Sequence, residues 1–216
     1  MFVKNRMTAN PYTVSYHSSI TDLMELMHEK NLKRVPVVDG DRVVGIITNG
    51  DLAKVTPNQA TTLSVWEINY LLAKTPVSQA MTKNVITVHE DDFVEQAAVL
   101  MRKYRISTLA VVDKNDKLVG IITESDIFDA FIDILGVRDE GTRLTVSVTD
   151  RPGLLAQVAK IISDHGANIS RMVAYNGNDR KTDLVFKIDT LETDLIVKTL
   201  NDSGLEVTNI TKNPGA

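Results

Sequence analysis

The sequence predicts a mixed α/β chain in which a β-α-β-β-α unit occurs twice and a βαββαβ domain follows. Three observations carry this. Gly45-Ile46-Ile47-Thr48-Asn49-Gly50-Asp51-Leu52 returns as Gly120-Ile121-Ile122-Thr123-Glu124-Ser125-Asp126-Ile127. Met7-Thr8 returns as Met81-Thr82, Thr13-Val14 as Thr87-Val88, Met27 as Met101 and Val37-Val38-Asp39 as Val111-Val112-Asp113, each 74 residues on. Around Arg138-Asp139-Glu140-Gly141-Thr142 this pattern breaks, and a different one begins.

From Gly45 onward the step between copies becomes 75, so the second copy holds one extra residue. It falls between Asp39-Gly40-Asp41-Arg42 and Asp113-Lys114-Asn115-Asp116-Lys117, where a turn is expected. An insertion confined to a turn leaves both flanking strands intact, as a structural duplication requires.

In the first copy Thr13-Val14 is a short strand signal, and Ser18 or Ser19 can cap a helix with apolar positions Ile20, Leu23, Met24, Leu26 and Met27. Asn31 closes that helix. Strands are expected at 33 to 38 and 43 to 47, joined across Asp39-Gly40, and Thr48 begins a second helix. The second copy runs the same way. Asp92 with Glu95 reads as an N-terminal capping pair, with Val94, Ala97, Ala98 and Met101 as the helix stripe. Strands follow at 106 to 112 and 118 to 122, then a helix from Thr123 that Gly136 ends. Between the copies, the spacing of Ile68, Leu71 and Leu72 near the single Trp66 predicts a short structural helix packed on the repeats.

In the last third, Leu144, Val146 and Val148 alternate as a half-buried strand. Asp150-Arg151-Pro152-Gly153 reads as a turn that places Pro152 at a helix's first position. Leu154, Leu155, Val158, Ile161 and Ile162 form the helix face, and His165-Gly166 ends it. Strands at 169 to 175 and 184 to 188 are joined through Asn176-Gly177-Asn178-Asp179. A helix at 193 to 201 and a strand at 206 to 211 complete the ferredoxin-like βαββαβ order.

Composition narrows the function classes. The 216 residues are 43% hydrophobic, enough for one large or two modest cores, and the net charge of −4 offers no global basic field for nucleic acid or an anionic membrane. With no cysteine, disulfides, thiol nucleophiles and Cys-zinc sites are excluded. The first residues lack a signal-peptide apolar run, and no segment approaches the roughly 20 apolar residues of a membrane helix. A cytoplasmic location is expected. His17, His28, His89 and His165 are scattered without metal spacing, and no phosphate loop, H-E-x-x-H or G-x-S-x-G is present. The expectation is a protein that is not an enzyme and holds no metal.

The duplicated unit, with its V-P-V-V-D strand, its G-x-x-T-x-x-D turn and its preceding Met-Thr, resembles a tandem pair of CBS (cystathionine β-synthase) domains, together a Bateman module. Thr149-Asp150-Arg151-Pro152-Gly153-Leu154-Leu155 and Gly166-Ala167-Asn168-Ile169 resemble an ACT domain. The implied boundaries are 7–55 for the first CBS domain, 56–78 for the linker helix, 79–136 for the second CBS domain and 142–212 for the ACT domain. The whole order is similar to the bacterial acetoin-utilisation accessory (AcuB-like) family, which implies a link to acetoin metabolism.

The resemblance implies a site in each copy. Thr48 with Asp51, and Thr123 with Asp126, would meet an adenosine ligand, the carboxylate accepting from the ribose diol and the helix N-terminus favouring phosphate. Lys33 and Arg34 would meet phosphate, while the matching Ser107-Thr108-Leu109-Ala110 lacks both the base and the proline. The nucleotide-binding set implied also includes Thr13, Pro36, Thr87, Thr108 and Ala110. Structure alone offers another account, because Thr-x-x-Asp before a helix is close to a capping box, and Lys33-Arg34 suits a solvated helix end. Candidate ligands are AMP, ADP, ATP or S-adenosylmethionine. In the ACT region Asp150, Gly153 and Asn168 match amino-acid-binding positions, against a dimerisation-only role. A homodimer regulating an unknown protein partner is expected, and the alternative is an interaction scaffold whose degenerate CBS sites bind nothing.

Overall fold

The structure is a computed structural model that describes residues 1–56, 64–176 and 181–215. The chain divides into two compact units, Met1–Phe128 and Asp129–Ala216.

The first unit holds both copies. The first comprises β2 (Val14–Ser15), α1 (Ile20–Glu29), β3 (Arg34–Asp39), β4 (Arg42–Thr48) and α2 (Asn49–Val55), preceded by β1 (Thr8–Ala9). Of the two candidate serines Ser19 is the cap: its Oγ accepts from the Asp22 N–H at 3.1 Å, and Asp22 Oδ2 accepts from the Ser19 N–H at 3.2 Å. Asn31, at φ 51, turns the chain out of the helix. The linker helix is α3 (Val65–Lys74), which buries Leu72 while Trp66 stays 85% exposed. The rest of the linker, 57–63, lies outside the described residues.

The second copy comprises β5 (Thr87–His89), α4 (Val94–Tyr104), β6 (Thr108–Val112), β7 (Leu118–Thr123) and α5 (Glu124–Ile134), the last of which runs across the unit boundary. Here the expected Asp92–Glu95 cap is corrected. The Phe93 N–H donates to Gln96 Oε1 at 2.7 Å, and Asp92 Oδ2 accepts from His89 N–H in the preceding turn. The helix thus starts one residue later than the pattern suggests, and Phe93 stacks on Phe2 with centroids 5.1 Å apart. The extra residue does sit in the β6–β7 turn. Asp113 Oδ1 accepts there from the Asn115 and Lys117 N–H groups, and Asp116 takes the left-handed conformation that Gly40 takes in the first copy.

Strand parity explains what faces where. Val35 and Val37 of β3 enter one core with Ile20, Leu23, Met27 and Ile47, while Leu109 and Val111 of β6 enter a second with Ala97, Met101 and Ile122. Arg34 and Pro36, and likewise Thr108 and Ala110, therefore fall on the opposite faces of their sheets. The sheets exchange their leading segments. β1 pairs antiparallel with β7 of the second copy, in the order β1-β7-β6-β5, and Thr82 bridges to Ile46 in β4 of the first.

The second unit carries β8 (Gly141–Val148), α6 (Leu154–Asp164), β9 (Ile169–Asn176), β10 (Thr182–Ile188), α7 (Asp194–Asp202) and β11 (Glu206–Asn213). Its sheet has the order β11-β8-β10-β9, wholly antiparallel, with apolar residues of α6 and α7 in one core with β8 and β10. Part of the expected turn, 177–180, lies outside the described residues. Two expectations are corrected. Gly153 stands at φ 84, so α6 starts at Leu154 and Pro152 lies outside it. β8 is buried on both faces rather than half-buried. Thr142 donates from Oγ1 to the Thr190 carbonyl at 2.6 Å, and a Cβ on neighbouring Gly141, at φ 117, would fall on the Ile188 carbonyl.

Candidate functional site

Each G-x-x-T-x-x-D stretch ends the second strand of its hairpin and starts a helix, which fixes its Thr and Asp by local chemistry. Thr48 donates from N–H and Oγ1 to Asp51 Oδ2 at 3.1 and 2.7 Å, and accepts at Oγ1 from the Asp51 N–H at 3.4 Å. Thr123 and Asp126 repeat the arrangement at 2.7, 2.7 and 3.4 Å. Both are reciprocal capping boxes, each contributing about 1 kcal/mol.

The first box also borders a cleft of about 400 Å³ between the copies, within the usual range for a small-ligand site. Lys33, Arg34, Thr48 and Asp51 line it from the first copy, and Arg105, Ser107 and Thr108 from the second. The Asp51 side chain is only 13% exposed. Burial pushes its carboxyl up, but the Thr48 hydroxyl, the Lys54 ammonium and the Thr48 N–H together outweigh that and hold it below the ordinary carboxylate range. Its Oδ1 meets Lys54 Nζ at 3.1 Å, an exposed and therefore exchangeable contact.

Arg34 crosses between the copies. Its Nη1 donates to the Ser107 carbonyl at 3.0 Å and to Ser107 Oγ at 3.1 Å. Beside it, Thr108 Oγ1 is buried and makes no hydrogen bond among the described residues. A buried hydroxyl left unpaired costs about 1–3 kcal/mol, so it marks a place where a polar group can gain by arriving.

Of the sequence-predicted residues the structure thus brings Lys33, Arg34, Thr48, Asp51 and Thr108 to one cleft. Pro36 and Ala110 are buried on the flanking strands, Thr13 and Thr87 are exposed at their edges, and none of the four lines it. Thr123 and Asp126 form the other box, away from this lining. In the second unit Asp150 and Gly153 border one depression, but Asn168 does not. The Asn168 N–H donates to Asp189 Oδ1 at 2.7 Å, a structural bond between neighbouring segments.

Sequence reasoning missed Arg105, Thr82 and Asn84. The repeated Met-Thr pair marked the crossing segment, but nothing in its pattern told which copy it docks on. Among the described residues no group of His, Cys, Asp or Glu is arranged to hold a metal ion, and no helix is long and apolar enough to cross a membrane.

Comparison with known proteins gives this geometry a family. The family model described as CBS domain matches residues 3–58 and 77–133, just over half of the chain. The chain belongs to the CBS domain family. Residues 142–204 match the ACT domain, so this CBS protein carries a tandem CBS pair followed by an ACT domain, both regulatory modules. It is 35% identical over 130 residues to an L-aspartate semialdehyde sulfurtransferase of Methanocaldococcus jannaschii, covering 60% of this chain and 23% of that protein. The chain spans less than half the length of the first curated relatives it matches. Among solved structures, CBSX2 in complex with AMP is 28% identical, with a TM-score of 0.51 over 62% of this chain and 97% of that one. A Vibrio cholerae protein assigned to acetoin utilization (AcuB) is 30% identical, with a TM-score of 0.52 over 64% of this chain and 96% of the other.

Proposed function

We propose that this CBS protein is a non-catalytic regulator that senses an adenosine compound, AMP, ADP, ATP or S-adenosylmethionine, in the cleft between its CBS copies. The observation that carries the proposal is the unpaired, buried Thr108 Oγ1 in a cleft where Asp51 and the basic residues converge. A ligand hydroxyl or phosphate oxygen would supply the missing bond. Asp51 would exchange Lys54 for the ribose diol, since a carboxylate kept ionised is a strong acceptor of two hydroxyl donors. Arg34 would offer its planar fork to phosphate. The likeness to a CBS protein in complex with AMP supports an adenine nucleotide.

Binding between two copies favours the arrangement of the copies that contacts the ligand best, and a protein partner would read that shift. The ACT domain is assigned to dimerisation, supported by Asn168 lying outside the depression that Asp150 and Gly153 border. Acetoin metabolism as the setting rests on the likeness to the Vibrio cholerae protein. One observation favours the scaffold alternative: the capping boxes alone account for Thr48, Asp51, Thr123 and Asp126.

Thermal unfolding decides between them. Ligand at 100 times its Kd stabilises by about 2.7 kcal/mol. An upward shift of the midpoint with an adenosine compound, lost in Asp51→Asn, is expected. Unchanged midpoints with AMP, ADP, ATP and S-adenosylmethionine alike would leave the scaffold.

A further inference from the structure

The second copy supplies a cation that its own repeat position does not announce. Arg105 follows the last turn of α4 in the left-handed conformation, φ 55 and ψ 45, with its N–H closing the helix on the Met101 carbonyl. Glycine or asparagine is the usual occupant of such a position, and the first copy has Asn31 there at φ 51. The left-handed backbone does not favour arginine over asparagine, although the helix C-terminus favours a cation. The position also places Arg105 on the cleft lining, with Lys33 and Arg34.

The charges of this cleft do not balance. Among the described residues, Lys33, Arg34 and Arg105 face a single carboxylate, Asp51, which already meets Lys54. Arg34 directs only Nη1 at Ser107, and both oxygens it meets there are neutral, so its charge is not cancelled. If Asp51 takes a ribose diol, only positive charge remains to meet the rest of the ligand.

We propose that Arg105 is a specificity-determining residue that makes the cleft select adenosine ligands carrying 5′-phosphate and reject neutral or cationic ones such as S-adenosylmethionine. This rests on the adenosine reading above and narrows it. The guanidinium forks of Arg34 and Arg105 reach the phosphates from opposite copies, so phosphate recognition spans the copies. Neither copy alone offers both forks.

The test measures Kd for adenosine, AMP, ADP, ATP and S-adenosylmethionine by calorimetry, on the full chain and on Arg105→Asn and Arg105→Lys. Asparagine accepts the left-handed backbone and matches Asn31, so the first variant keeps the fold while removing the charge. AMP, ADP and ATP are expected to bind the full chain at least tenfold tighter than adenosine, with S-adenosylmethionine weakest. Arg105→Asn should lose about tenfold or more on the phosphorylated ligands and leave adenosine unchanged. Arg105→Lys should lie between, and added salt should weaken only the phosphorylated ligands. Equal weakening of adenosine and AMP by Arg105→Asn, or S-adenosylmethionine binding as tightly as AMP, would overturn the proposal while sparing the adenosine reading. Failure of every compound to bind the full chain would overturn both.

Discussion

The thioether of Met81 lies against the bare Cα of Gly45, a residue of the other copy, and Met7 stands in the same relation to Gly120. Each copy thus sends its leading methionine under the hairpin of its neighbour. A Cβ built on Gly45 would fall on the Met81 sulfur, and one on Gly120 would fall on the Met7 sulfur. This reciprocal exchange keeps the crossing segments beside the cleft, because Thr82 and Asn84 follow directly from Met81.

Gly45→Ala should therefore destabilise the first unit by about 1–3 kcal/mol, the usual cost of overpacking. Adding Met81→Ala should cost less in that background than in the wild type, because it removes the atoms the new methyl meets. Urea titration of the four proteins measures the coupling. Additive costs would mean that the two side chains do not meet.

Thr108→Val exchanges an unpaired hydroxyl for a methyl of similar shape. The ligand-free chain should gain about 1–3 kcal/mol, the penalty of a buried unsatisfied group. Its affinity for an adenosine nucleotide should fall at the same time. A variant that is less stable without ligand would show that the hydroxyl is satisfied in solution.

Thr48→Ala and Thr123→Ala remove equivalent caps, and each should lower stability by about 1 kcal/mol. Only Thr48 borders the cleft. Ligand titration should thus find weakened binding in Thr48→Ala and near wild-type affinity in Thr123→Ala. Equal losses of affinity would assign a ligand to both boxes.

The folded-state pKa of Asp51 lies below its ordinary value of 3.8, with the Thr48 hydroxyl the foremost of the bonds that overcome burial. The stability it contributes is fully present above that value and is lost as pH falls through the lower folded one. A carboxyl-carbon NMR titration should find Asp51 more than half ionised at pH 3.8. Asp51→Asn should flatten this part of the acid-unfolding curve, and a titration midpoint at or above 3.8 would refute the geometry.

Sequence reasoning went far with elements whose signals are local. The repeat located both hairpins and both Thr–Asp boxes, because a strand's alternation and a helix's cap are written within a few residues. Where competing local signals lay one residue apart, it slipped. Phe93 rather than Asp92 precedes α4, because Asp92 accepts from the His89 N–H while Gln96 takes the Phe93 N–H. Gly153 displaced Pro152 from the start of α6 because its left-handed backbone admits no helix there.

For the cleft the division is sharper. Lys33, Arg34, Thr48 and Asp51 were legible as residues of one copy, and their chemistry followed from their types. That Thr108 and Arg105 stand opposite them depends on the exchange of segments between the copies. A repeat cannot encode this, since each half reads the same whether it packs on itself or on its neighbour. The sequence by itself determined the duplicated architecture, the ACT domain and the local geometry of each box. Only the tertiary structure decided that one box faces Arg34, Arg105 and an unpaired hydroxyl in a shared cleft. The physical reason is that charge balance and hydrogen-bond satisfaction belong to groups brought together across distant chain segments, so neither exists until the copies pack.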